Sequence, residues 1–216
     1  MIQRLEIDQV VFKRDKRVVV KDLKTQLQTV EGDDHVDTSH ILDQSPGRIF
    51  WPQPGSEYVK NEVYLINQIK TDDKYHGSLL NPANAFSPGG GYKDPNHRAM
   101  EENLCYKSDL WVQLEQLKSR VGHQAHLPTC QTALISEARF LSADDSVTTV
   151  PVVSIASPDL KPHSYDRSCG FNEDNYEESM KQYWRTALKA TMKQAPKGER
   201  PKVVAVLPGV FIKTDG

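Results

Sequence analysis

The sequence is short of cysteine, of long apolar runs and of any excess of one charge. Its three cysteines, Cys105, Cys130 and Cys169, are odd in number and widely spaced. That suits neither a disulfide framework nor a paired zinc knuckle, and it points to a reducing compartment. No stretch approaches the ~18 consecutive apolar residues that span a bilayer. The start, Met1-Ile2-Gln3-Arg4-Leu5-Glu6, has no apolar segment of the kind that directs ordinary secretion. The expectation is a cytoplasmic protein, with signal-peptide-independent export as the alternative. Lys and Arg total 27 against 29 Asp and Glu, a formal charge of -2, so no global basic field draws in nucleic acid or an acidic membrane. An apolar fraction of 38% and a mean hydropathy of -0.60 predict a thin core with long polar loops. The 216 residues suffice for one domain, with or without an N-terminal extension. There are no internal repeats or low-complexity segments.

Short β-branched runs at Leu5, Ile7, Val10 to Phe12 and Val18 to Val20 predict strands and turns over the first 50 residues or so. Trp51-Pro52-Gln53-Pro54-Gly55 is a stiff corner, which divides an extension, residues 1–55, from a main unit, residues 56–216. Val59, Val63, Ile66 and Ile69 recur at helical spacing after Ser56-Glu57. Ser78-Leu79-Leu80 reads as a strand entering a glycine loop. Beyond Asp94-Pro95-Asn96, the positions Leu104, Cys105, Trp111, Leu114, Leu117 and Val121 predict one long amphipathic helix ending near Gly122. Thr132 to Ile135 and Arg139 to Leu141 read as short strands, Thr148 to Ala156 as a strand buried on both faces, and Val203 to Leu207 as another. Between the last two, Met180, Trp184, Leu188 and Met192 mark a second long helix. Alternating strands and helices predict an α/β fold.

In such sheets, ligands bind beyond the carboxyl ends of the strands. Gly89-Gly90-Gly91 can take positive φ and bring backbone N–H groups close to an anion. Glu101 and Glu102 follow near a helix start, where the dipole favours negative charge. Alone, a triple glycine is commonly a flexible turn and a glutamate pair a solvated one. In combination with Asn81-Pro82-Ala83-Asn84 before them and Asn103-Leu104-Cys105 and Ser108 after them, they form a far more specific pattern, and Pro208 to Phe211 is a further candidate loop. His123 and His126 with Cys130 have no second cysteine at ligand spacing, so a solvated loop is expected there and no metal. Cys105 is expected to pack. Lys13 to Arg17 reads as a solvated hairpin, and Asp166 to Gly170 as a surface turn.

Leu80-Asn81-Pro82-Ala83-Asn84, Pro88-Gly89-Gly90-Gly91-Tyr92 and Ala99-Met100-Glu101-Glu102-Asn103-Leu104-Cys105 together resemble the signature of the bacterial-type poly(ADP-ribose) glycohydrolases, a branch of the macrodomains. Val152 to Pro158 is similar to that family's buried strand, and Ala205 to Phe211 falls at its second phosphate loop. The resemblance runs from about Leu79 to Phe211. It implies a macrodomain-like mixed sheet flanked by helices, ADP-ribose or an ADP-ribosylated macromolecule as partner, and no cofactor. It also implies site residues: Glu102 as catalytic acid, Glu101 on the distal ribose hydroxyls, Gly89, Gly90 and Gly91 on the diphosphate, Asn84 near ribose, and Gly209 and Phe211 in the second loop. Met100 stands where the signature has Gln, and Leu207-Pro208-Gly209 where it has Gly-Cys-Gly. Proline removes an N–H donor from that second loop. The chain also stops at Gly216, before the family's closing helix, so the expectation is that either the N-terminal segment covers one face of the last strand or residues beyond Gly216 are absent from this chain.

Glycosidic hydrolysis at a ribose passes through an oxocarbenium-like state, so one carboxylic acid must protonate the departing group and then activate water. The expected division is Glu102 as that acid, its pKa raised by its neighbour, and Glu101 left ionised. A non-catalytic ADP-ribose reader is the alternative, and a metal-dependent nucleotide hydrolase a third. Linkage, target and oligomeric state stay open.

Overall fold

The computed structural model describes residues 4–7, 25–36, 75–92, 99–122, 124–141, 147–160 and 171–205. In chain order the elements are β1 (Arg4–Ile7), β2 (Thr25–Glu31), β3 (Tyr75–Ala83), α1 (Met100–Lys107), α2 (Leu110–Val121), β4 (Thr132–Leu141), β5 (Val147–Ala156), α3 (Tyr176–Gln194) and β6 (Arg200–Val204). The strands form one six-stranded sheet in the order β1-β2-β4-β5-β3-β6. β3 runs parallel to both β5 and β6, whereas β4 is antiparallel to β5 and β2. The sheet is therefore mixed, as a macrodomain-like fold requires.

The apolar runs of β3 and β5 serve both faces. Leu79, Ala83, Val152 and Ala156 pack with Leu104, Leu110, Leu114 and Leu117 of α1 and α2. Leu80, Val153 and Ile155 turn the other way, against Tyr183, Ala187 and Ala190 of α3. Alanines at that spacing let α3 lie close to the sheet. Burying each large aliphatic side chain stabilises the fold by ~1.5–3 kcal/mol.

Two expectations change. The long helix is two, because Ser108 is extended (φ -141°, ψ 177°) and makes a bridge with Phe140 of β4. The Ser108 hydroxyl donates to Leu104 O (2.7 Å) and accepts from Leu110 N (3.2 Å), which satisfies backbone groups freed by the break. Asp109 is wholly buried there and accepts from the backbone N–H of Arg139 at 2.8 Å, from its guanidinium, and from Gln113. Burial pushes the Asp109 carboxyl up, and the hydrogen bonds and charge of Arg139 hold it down. α2 then ends as expected at Gly122, with φ +64° and its N–H on Lys118 O. Second, the two short strands after it are one, β4. β1 and β2 lie at the edge of the sheet opposite β6, and most of the rest of the N-terminal segment, expected to cover β6, lies outside the described residues. Val203 packs with the α3 cluster and Val204 with the other. The helix expected after Ser56, the Lys13 to Arg17 run and Asp166 to Gly170 lie outside the described residues.

Candidate active site

β3 and β5 are aligned so that Ala83 pairs with Ala156, and the chain leaves β3 at Asn84 beside the carboxyl ends of both strands. Asn84 is exposed. Its Oδ1 accepts from Phe86 N (2.9 Å) and Ser87 N (2.8 Å), an Asx turn that starts the glycine loop. Gly89 and Gly90 have φ of +72° and +53°, the left-handed region that glycine takes without steric cost. A Cβ on Gly90 would strike the Glu102 carboxylate, whose Cδ would lie 3.1 Å from it. One on Gly89 would meet the Tyr92 ring and come within 3.3 Å of Cys105 Sγ. The loop is thus pressed onto α1, and Tyr92 anchors its far end by stacking on Trp111 of α2 at 5.4 Å.

Both glutamates sit in the first turn of α1, which has no side-chain cap, and point back at this loop. Glu101 Oε2 accepts from Asn84 N at 2.8 Å and Oε1 from Gly89 N at 3.2 Å. Glu102 Oε1 accepts from Gly91 N at 3.1 Å, while its buried Oε2 has no partner among the described residues. The N–H groups of Gly90 and Tyr92 are turned onto Ser87 O and Gly89 O. So from Gly89 to Tyr92 every backbone N–H is engaged within the protein, two of the four by the glutamates.

The two carboxyls differ in a way the sequence did not anticipate. Glu101, 4% exposed, is the one whose proton is held, its pKa raised to about 8. Burial is the main cause; N–H donation from Asn84 opposes it, and the charge of Glu102 adds to it. Glu102 is half-buried, with a free oxygen.

The structure thus gathers Asn84, Gly89, Gly90, Gly91, Glu101 and Glu102 at one place. Gly209 and Phe211 lie outside the described residues. Cys105 is buried beneath the loop, as expected. His126 is not solvated but 2% exposed behind Ala85, and neither ring nitrogen has a partner among the described residues. Burial, with Lys118 nearby, lowers its pKa to about 4. Among the described residues no three His, Cys, Asp or Glu come together as metal ligands, and no helix is long and apolar enough to cross a membrane. Asn81 and Ser154, both wholly buried and hydrogen-bonded to each other at 3.1 Å, were not read as site residues. The signal for them was one polar residue in each of two apolar runs, Leu79 to Ala83 and Val150 to Ala156.

Residues 51–149 match the family model of the microbial-type PARG catalytic domain. The match takes in the glycine loop and both glutamates and ends within β5, a little under half of the chain. It bears out the resemblance to the bacterial PARG-like family, and with it an enzyme of the ADP-ribosyl glycohydrolase class. No curated protein and no solved structure matches the chain.

Proposed function

We propose that the protein binds ADP-ribose attached to a macromolecule and hydrolyses its glycosidic bond, with Glu102 as general acid and base. What supports this most is the half-buried Glu102 carboxylate. One oxygen is fixed by Gly91 N–H and the other is buried without a partner among the described residues, beside the glycine loop. A carboxyl held by one oxygen keeps the other for the leaving group. Glu102 gives its proton to the departing atom as the bond from ribose C1 breaks. Water then attacks C1 and returns a proton to the carboxylate. Glu101 is tied by both oxygens and has no such freedom, so its role is to hold the distal ribose hydroxyls.

The diphosphate lies against Gly89, Gly90 and Gly91. Of those N–H groups Gly90's serves only the Ser87 carbonyl, so the phosphate takes it by exchange and both glutamates keep their anchors. Asn84 approaches the ribose, while Gly209 supplies the second loop and Phe211 packs on the ribose. The test is calorimetry with free ADP-ribose, followed by release of ADP-ribose from mono- and poly-modified protein. Micromolar or tighter binding with release is expected. Binding without release would make the protein a reader, and no binding would remove the assignment.

A further inference from the structure

Gly89 stands where the loop, α1 and α2 meet. Its N–H donates to Glu101 Oε1 at 3.2 Å, and its carbonyl accepts from Tyr92 N at 3.0 Å, which closes a turn and brings Tyr92 back beside it. The space that a side chain at 89 would need is already filled. A Cβ there would lie 2.7 Å from Tyr92 Cδ1, closer than such atoms approach, and 3.3 Å from Cys105 Sγ of α1. Glycine is therefore demanded twice at this position, by its φ of +72° and by the ring that lies against it. The ring in turn stacks on Trp111 of α2, with centroids 5.4 Å apart and planes 23° apart.

Both aromatics are half-buried against the α1 and α2 cluster. Closing the edge of that cluster accounts for two large side chains, but not for one of them lying on Gly89. A glycine has no side chain with which to anchor itself. Its neighbour's N–H, that of Gly90, is the one the diphosphate takes, so Gly89 needs a separate hold if Glu101 is not to be freed with it. From this arrangement we infer that Tyr92, backed by Trp111, is a positioning residue whose ring clamps Gly89 onto α1 and so keeps the Gly89 N–H on Glu101. The inference deepens the proposed hydrolase reading and rests on it for its catalytic meaning.

The experiment is amide hydrogen exchange of the full chain followed by NMR, with the amides of β5 in the middle of the sheet as internal reference. In Tyr92→Ala the Gly89 amide is expected to exchange ~10-fold faster relative to β5, about what the loss of a stacked aromatic contact is worth. Trp111→Leu keeps an apolar residue on the cluster but removes the stack. It is expected to give roughly 3-fold, and it decides the matter if Tyr92→Ala does not fold. Tyr92→Phe keeps the ring and is expected to match the wild type. Unchanged relative exchange at Gly89 in a folded variant without the stack would overturn the inference. So would equal acceleration of Gly89 and β5, which would make the ring a general support, or a Tyr92→Phe as fast as Tyr92→Ala. Because exchange is read without substrate, a wild type that releases no ADP-ribose would end the hydrolase reading without touching this result.

Discussion

On the α3 side of the sheet, Leu80, Val153 and Ile155 close on alanines, and the polar groups there pair off. Ser78 donates to Gln194 at 2.7 Å and Thr186 to Cys130 O at 2.9 Å, leaving Tyr183 OH as the unpartnered group on that helix. On the α1 and α2 side the apolar cluster is interrupted by Asn81, Ser154, Glu101, Gln113 and His126, and among the described residues five keep an unpartnered buried side-chain atom: Asn81, Glu102, Gln113, His126 and Ser136. Unpaired polar atoms are expensive. Their concentration on one side indicates that α3 secures the sheet, while the other side gives up stability to hold a charged site.

Glu102→Gln breaks the comparison most directly. Turnover on ADP-ribosylated protein is expected to fall ~10²–10⁴-fold, with melting temperature and ADP-ribose affinity retained. A loss of both activity and fold would mean that Glu102 supports structure. The converse on the α3 side is Leu80→Ala, expected to cost ~2–5 kcal/mol in urea unfolding and to leave turnover per folded molecule unchanged. Gly90→Val places a branched side chain at positive φ against Glu102. Strain of ~1–3 kcal/mol should weaken ADP-ribose binding about 10–100-fold by calorimetry while the sheet stays intact.

The pH dependence sharpens the contrast with a smaller effect. Native Glu101 keeps its proton to about 8, against an ordinary value of 4.5, so its contribution to stability is lost as pH rises between those values. His126 goes the other way: unfolded it charges near 6.5 but folded only near 4, so its burial costs stability as pH falls through that range. The two oppose each other below 6.5, and of the two only Glu101 acts above it. The urea midpoint of the wild type should therefore decline from pH 6.5 to 8, and Glu101→Gln should flatten that decline. Parallel curves would show that burial of Glu101 has no such weight.

Much of this was legible. The continuous apolar run ending at Ala156 predicted β5, the stripe through Met180 and Trp184 predicted α3, and the glycines and glutamates announced the site. What escaped depended on partners far along the chain. Nothing local marks Ser108 as a break, because its extended backbone is secured by Phe140 and by the Arg139 contacts of Asp109. Nor does composition show which of two adjacent glutamates will be buried. That is decided by the loop folding down on Glu101, and so the carboxyl expected to stay ionised is the one that keeps its proton.

The sheet order also bears on how the chain comes together during synthesis. The contact between Gly89 and Glu101 joins residues 12 apart, whereas Asn81 waits for Ser154, 73 residues later, and Ser78 for Gln194, 116 later. At a ribosomal rate of about 5–20 residues per second, β3 is out for several seconds before its parallel neighbours exist. The loop and α1 can close early, while Leu79 and Leu80 stay exposed on an unpaired strand edge. In this protein the glycine loop is local and the scaffold late, so aggregation during expression should start from β3, in chains whose glycine loop is already formed.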